Sequence, residues 1–164
     1  MKLLIIGHAR HGKDSLCELL SKKGFKYTPT SDIYMDKVIW PAWSDQYKNK
    51  EEAVADKVNR RGEMFDLIAE YCKEDKARFA KDVLEVSDIY CGLRARDEFE
   101  ASKDLFDLII WVDATERLPL EPVESFELTA EDADYYFDNN RTERKMLSAF
   151  DTLMRTIHKK KAKN

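Results

Sequence analysis

"KLLIIGHARHGKDS", residues 2–15, decides how the rest of this chain is read. Leu3–Ile6 is an unbroken apolar run stopped by Gly7, the pattern of a strand buried on both faces of a parallel sheet. From Lys13 the apolar positions change period: Leu16, Leu19 and Leu20 share one helical face, and Gly24 ends the helix. Between strand and helix lies Gly7-x-x-x-x-Gly12-Lys13. A chain of phosphates is held by backbone N–H groups only where no side chain blocks the approach. Glycines at both ends of a loop permit that, the helix N-terminus adds partial positive charge, and Lys13 reaches the outer phosphates.

The residue after such a lysine is usually Ser or Thr, which offers a hydroxyl to magnesium. Here it is Asp14, and Ser15 follows one place late. Magnesium favours hard oxygen ligands, so the Asp14 carboxylate can take that place directly or through water, with Ser15 left for a phosphate or the metal. Arg10 and His11 project from the loop tip as candidates for phosphate contact; a solvent-facing position is the other reading of His11.

The 164 residues fit one domain, 43% of them hydrophobic. Lys+Arg is 28 against 32 Asp+Glu, a net charge of −4, which argues against a dedicated nucleic-acid binder. Cys17, Cys72 and Cys91 are far apart and suggest reduced thiols rather than a zinc site or disulfide framework. The N-terminal apolar run is too short for a signal peptide or membrane span, so a cytoplasmic protein is expected.

Further along, residues 25–28 read as a short second strand stopped by Pro29. Residues 31–86 read as helical, with Ser31 or Asp32 as a cap, an interruption at Pro41 and a break near Gly62. "DIYCG", 88–92, "DLIIWVD", 107–113, and "ADYYFDNN", 133–140, read as strands, with a helix over 98–106 between the first two. A closing helix follows, with Leu147, Phe150, Met154 and Ile157 on one stripe and a frayed basic tail over 158–164. Five strands alternating with helices argue for one doubly wound α/β domain. In such sheets ligands bind beyond the C-terminal strand edges. Arg94, just past Gly92, lies at such an edge and can grip a phosphate bidentately, or else pair with Asp97 or Glu98.

The Gly-Lys-Asp-Ser loop resembles that of phage-type deoxynucleoside monophosphate kinases, in the adenylate kinase-like, P-loop nucleoside monophosphate kinase group. The Gly92-x-Arg94 turn resembles the one by which that group holds the acceptor monophosphate. The resemblance implies a three-layer P-loop domain spanning 1–164: a five-stranded parallel sheet flanked by helices, a helical acceptor-binding insertion at about 31–86 and a short lid at about 114–129. It implies ATP and Mg2+, and phosphoryl transfer to a nucleoside monophosphate, in the host cytoplasm if the chain is phage-encoded. Neither nucleic acid nor membrane is expected as a partner; a homodimer remains open.

Residue by residue, the resemblance assigns the donor phosphates to Gly7, Arg10, His11, Gly12, Lys13, Asp14 and Ser15, with the metal at Asp14 and Ser15 and with Asp113 as a distant alternative. On the acceptor side stand Gly92, Arg94 and an insertion arginine, Arg61 or Arg60, together with Ser31, Asp32 and Phe65; Tyr34, Trp40 and Trp43 are further candidate walls. Arg117, in the lid, either neutralises the transferring phosphate or makes a surface ion pair with Glu116 or Glu121; on the first reading Lys13, Arg94 and Arg117 form the expected catalytic set. Asn139, Asn140 and Arg141 fall where the group turns beside the donor adenine, although Arg141 stands where a glycine is usual, and an Asx turn explains the asparagines equally well. Two other functions stay in view: a kinase of another small molecule such as dephospho-coenzyme A, and a nucleotide-binding switch, although no Asn/Thr-Lys-x-Asp base reader occurs.

Overall fold

A computed structural model of the chain describes residues 1–122, 125–140 and 142–162. Its centre is a parallel sheet of four strands, β1 (Leu3–Ile6), β2 (Ile89–Cys91), β3 (Leu108–Asp113) and β4 (Tyr135–Asp138), in the order β2-β1-β3-β4. Leu3 stands between Ile89 and Leu108, so the first strand lies in the interior of the sheet. β-Strand side chains alternate between faces. Leu3 and Ile5 pack with Leu16 and Leu20 of α1 (Lys13–Lys22) and with Phe150, Leu153 and Ile157 of the closing helix α8 (Glu143–Lys161). Leu4 and Ile6 face the other way, onto Phe79 and Val83 of α6 (Arg78–Val86) and Phe99 of α7 (Arg96–Ser102). Helices therefore cover both faces of the sheet.

Three aspartates seal the N-terminal strand ends. Asp88 accepts from the Lys26 amide at 2.9 Å, Asp107 from the Lys2 amide at 2.6 Å and Asp134 from the Ile109 amide at 2.9 Å. The carboxylates satisfy amides at places where the ladder stops.

Among the described residues the sheet has four strands, not the expected five. Residues 25–28 do run beside the start of β2, but side chains replace the ladder. The Asp88 amide donates to the Lys26 carbonyl at 2.7 Å, while Ser87 Oγ donates to the same carbonyl and accepts from the Thr28 amide.

The helical stretch after Pro29 contains α2 (Thr30–Tyr34), a π turn (Met35–Ile39), α3 (Trp40–Trp43), α4 (Lys50–Asp56) and α5 (Arg61–Tyr71). Pro41 does not interrupt the first helix. It sits just beyond the π turn, whose wider winding dispenses with the bond that proline cannot make. Nor is Ser31 or Asp32 the cap: the helix starts at Thr30, whose hydroxyl donates to the Cys91 carbonyl. The break expected at Gly62 falls at 57–60, and Gly62 lies in the first turn of α5. This subregion has its own small core of Met35, Val38, Ile39, Trp43 and Ala53.

In α8 the buried stripe uses Leu153 and leaves Leu147 exposed. The basic segment from His158 stays helical to Lys161, where cations meet the negative end of the helix dipole. Among the described residues no helix is long and apolar enough to cross a membrane.

Candidate functional site

The loop between β1 and α1 is shaped by two glycines that cannot be replaced cheaply. Gly7 has φ +140°, and a Cβ there would run into the carbonyl oxygen of Val112 on β3. Gly12 has φ +98°, and a Cβ there would strike the side-chain amide of Asn139. Arg10 adopts the left-handed conformation at φ 63°, which a non-glycine residue adopts at a cost. Its exposed position at the loop tip is compatible with the phosphate contact expected from sequence.

Lys13 is almost fully buried and donates to the carbonyl of His8 at 2.7 Å, so its ammonium closes the loop on itself. Burial lowers its pKa, with the nearby Arg94 charge acting in the same direction; an arriving polyanion would favour the charged form. Asp14 and Ser15 are exposed in the first turn of α1. Asp14 points toward the end of β2, where Tyr27 Oη is 3.5 Å and Cys91 Sγ 3.7 Å away. Ser15 borders a narrow notch with Gly12, Asn139 and Met146. The two residues thus face different neighbours, and the contacts to the Asp14 carboxylate are long. Asp113, the alternative oxygen donor, is committed: Asn140 donates to it at 2.6 Å and Thr115 at 3.1 Å. Burial pushes its carboxyl upward, but these bonds outweigh burial and hold it below the usual carboxylate range.

His11 is completely buried rather than solvent-facing. Its Nδ1 accepts from the Ala114 amide at 3.1 Å, which puts the ring proton on Nε2, 3.3 Å from the Pro119 carbonyl. His8 Nδ1 accepts from the Glu121 amide at 3.1 Å, and burial lowers its pKa. These two imidazoles, neither with a structural role expected from sequence, hook residues 114–121 onto the loop. Of the lid expected at 114–129, this first part is hydrogen-bonded to the loop, and Phe126 packs its ring 4.8 Å from that of His8. Phe126 and Leu128 are anchored in the core beneath α7, and Val123 and Glu124 lie outside the described residues.

Arg94 lies past the C-terminal end of β2, in the same crevice as the loop. Its partner is neither Asp97, which pairs with Lys76 at 2.9 Å, nor Glu98. It donates to Glu121 at 2.5 Å, and the second Glu121 oxygen accepts from the loop amide of Ala9, also at 2.5 Å. Burial alone would raise the Glu121 carboxyl; Arg94, the Ala9 amide and Lys13 together hold it low. Arg96 instead braces the fold, gripping Asp132 through two bonds of 2.6 and 2.8 Å.

A groove runs from Gly92 and Arg94 toward the insertion. Its near part, about 320 Å³, is walled by Tyr34, Phe65, Ile68, Tyr90 and Glu98; its far part, about 340 Å³, by Ser31, Tyr34, Arg61, Met64 and Phe65. Phe65, 68% exposed, is shared by both parts, which is unusual for an aromatic side chain with no interior to fill. Asp32, also expected on the acceptor side, is exposed and accepts from Ser31 at 3.4 Å but is not among the residues that wall the groove. The structure separates the two insertion arginines. Arg60 lies 4.0 Å over the Trp43 ring and makes two bonds to Glu63, so it is a brace, whereas Arg61 lines the groove. Trp43 is core, and Trp40 packs against the same cluster. Glu98, in the first turn of α7, is a groove residue that the sequence reading considered only as a salt-bridge partner; burial raises its pKa.

Past the opposite edge strand, β4, Asn139 donates to the His11 carbonyl at 2.7 Å and Asn140 ties Asp113 and Asp138 to the Glu116 amide. Asn139 thus braces the glycine loop from behind, and Asn140 braces the turn after β3. Arg117 donates to the Asn139 carbonyl at 2.8 Å, on that side of the loop rather than beside Arg94. Arg141 lies outside the described residues.

No family model matches the chain, and no curated protein matches it significantly.

Proposed function

We propose that this chain is an ATP-dependent kinase that transfers the γ-phosphoryl group to a nucleoside monophosphate, with a deoxynucleotide as the favoured acceptor. The observation that carries the reading is the convergence of two anion-seeking elements on one carboxylate: the loop amide of Ala9 and the guanidinium of Arg94 both bond Glu121. Donor and acceptor phosphates must be brought together in this way for transfer.

Phosphoryl transfer asks little covalent chemistry of the protein; positioning and charge neutralisation supply the rate. In this reading the loop amides and Lys13 hold the donor phosphates. Arg94 grips the acceptor phosphate, whose ionised oxygen needs no general base. Phe65 and Tyr34 offer the base an aromatic wall, and Arg61 supplies positive charge along the groove. Arg117 would have to leave the Asn139 carbonyl to reach the transferring group.

The hard oxygen atoms at the start of α1 fit magnesium: Asp14 would hold it with help from Ser15, the nucleotide phosphates and water. When bound, the ion neutralises charge on the phosphates. Among the described residues no group of three or more His, Cys, Asp or Glu side chains forms a metal cage, so the nucleotide itself would complete the coordination shell.

The test is ADP release from ATP over a panel of ribo- and deoxyribonucleoside monophosphates, with dephospho-coenzyme A included. Acceptor-dependent ADP formation by the wild type, lost in Lys13→Ala, is the expected result. Slow hydrolysis indifferent to every acceptor would replace the kinase with a nucleotide switch.

A further inference from the structure

Glu121 is the side chain that this reading leaves without a task, and it occupies the most contested position in the crevice. One oxygen accepts from the Ala9 amide and the other from Arg94, each at 2.5 Å. The same residue's backbone N–H is fixed on His8 Nδ1. A carboxylate and a phosphate offer similar oxygens to such donors, and charge-assisted bonds of this length are strong. The loop amide cannot serve a phosphate while it serves Glu121, and Arg94, bonded to Glu121 through Nη1, keeps a carboxylate where the phosphate would sit.

We infer that Glu121 is a built-in latch: its carboxylate stands in for a phosphate between the loop and Arg94, holds residues 114–121 down, and must be displaced before the site can be filled. The inference rests on the proposed kinase reading, because it takes the loop and Arg94 as phosphate ligands. The segment is suited to lifting. It is pinned at one end by Ala114, fully buried, and beyond its other end by the core residue Phe126. Within residues 115–121 the bonds are polar: His8, His11 and Glu121 tie the segment to the loop, the Glu116 amide and Arg117 tie it to Asn140 and Asn139, and Leu120 is turned outward.

A latch of this kind lowers apparent affinity by the fraction of molecules in which it is open. Its chemical consequence is that polyphosphate binding and latch opening are one exchange, anion for anion, with Arg94 paired before and after.

The experiment is calorimetric titration of tripolyphosphate and of ATP into the wild type, Glu121→Gln and Glu121→Ala, with thermal melts to confirm folding. Glu116→Gln, which removes the same charge from the same segment without touching the loop, is the control. The latch predicts that Glu121→Ala binds tripolyphosphate about 10-fold tighter or more, as expected if roughly one wild-type molecule in ten is open. Glu121→Gln should gain less, because its amide oxygen still accepts from Ala9. Glu116→Gln should stay within about two-fold of the wild type, since a screened surface charge acts weakly. Equal or weaker binding by Glu121→Ala, with ATP binding intact in the wild type, overturns the latch and leaves the kinase reading standing. The same gain in Glu116→Gln overturns it too, as plain charge. If neither wild type nor variants bind ATP, the kinase reading fails and the latch with it.

Discussion

The side-chain amide of Asn139 donates to the carbonyl of His11 across 128 residues of chain, at 2.7 Å, and in doing so fills the space beside Gly12 where any larger residue would have its Cβ. The end of β4 thus acts as a mould for the glycine loop. Removing the amide leaves a partly buried carbonyl without its partner, which costs about 1–3 kcal/mol. Asn139→Ala should therefore lower stability by that order in denaturant melts and weaken nucleotide binding. Asn139→Asp should be worse, because it turns a carboxylate oxygen toward the carbonyl. An alanine variant as stable as the wild type would show that the loop holds its shape unaided.

Asp14 is exposed at the start of α1, with only distant contacts to Tyr27 and Cys91. If its carboxylate assists magnesium, Asp14→Asn should raise the magnesium concentration for half-maximal rate several-fold, while ATP saturation at high magnesium recovers. Asp14→Ser should recover part of the loss. Unchanged magnesium dependence in both would reduce Asp14 to a residue favoured at a helix start by the dipole.

Arg94 separates transferase from switch. Arg94→Ala should raise the acceptor KM on the order of 10- to 150-fold, the range of one lost charge-assisted bond. Arg94→Lys should rescue poorly, since a lysine lacks the planar fork. Steady-state rates with ATP and acceptor varied separately are the measurement; a defect confined to the ATP terms would move Arg94 to the donor side.

Glu98 gives a pH test of the groove. Burial raises its pKa in the folded protein, so the ionised form is less welcome there than in the unfolded chain. The penalty is absent at a pH below the unfolded carboxyl value and develops as pH rises through the folded one. Glu98→Gln should therefore melt higher than the wild type at pH 8, and the difference should vanish near about pH 4. A lower melting temperature at pH 8 would mean that the carboxylate has a stabilising partner after all.

The sequence by itself determined the strand–loop–helix unit at residues 3–22, three of the further strands, the long helical stretch and the closing helix. Those signals are local: an apolar run, a change of period, a glycine where φ turns positive. It marked Gly7, Gly12 and Lys13 for the same reason, since the loop's chemistry is written in consecutive residues. It overcounted the strands, because at residues 25–28 the decision between ladder and loop lay with Ser87 and Asp88, side chains some sixty residues away. Only the tertiary structure decided that Arg60 braces Trp43 while its neighbour Arg61 lines the groove, and that Arg96 is spent on Asp132 while Arg94 is not. Adjacent arginines look alike in a sequence, and only the fold decides which carboxylate each one meets. Glu121 is the clearest case. Nothing around it in "LPLEPVES" separates it from any other surface glutamate; it matters because folding sets its two oxygens between an amide from residue 9 and a guanidinium from residue 94.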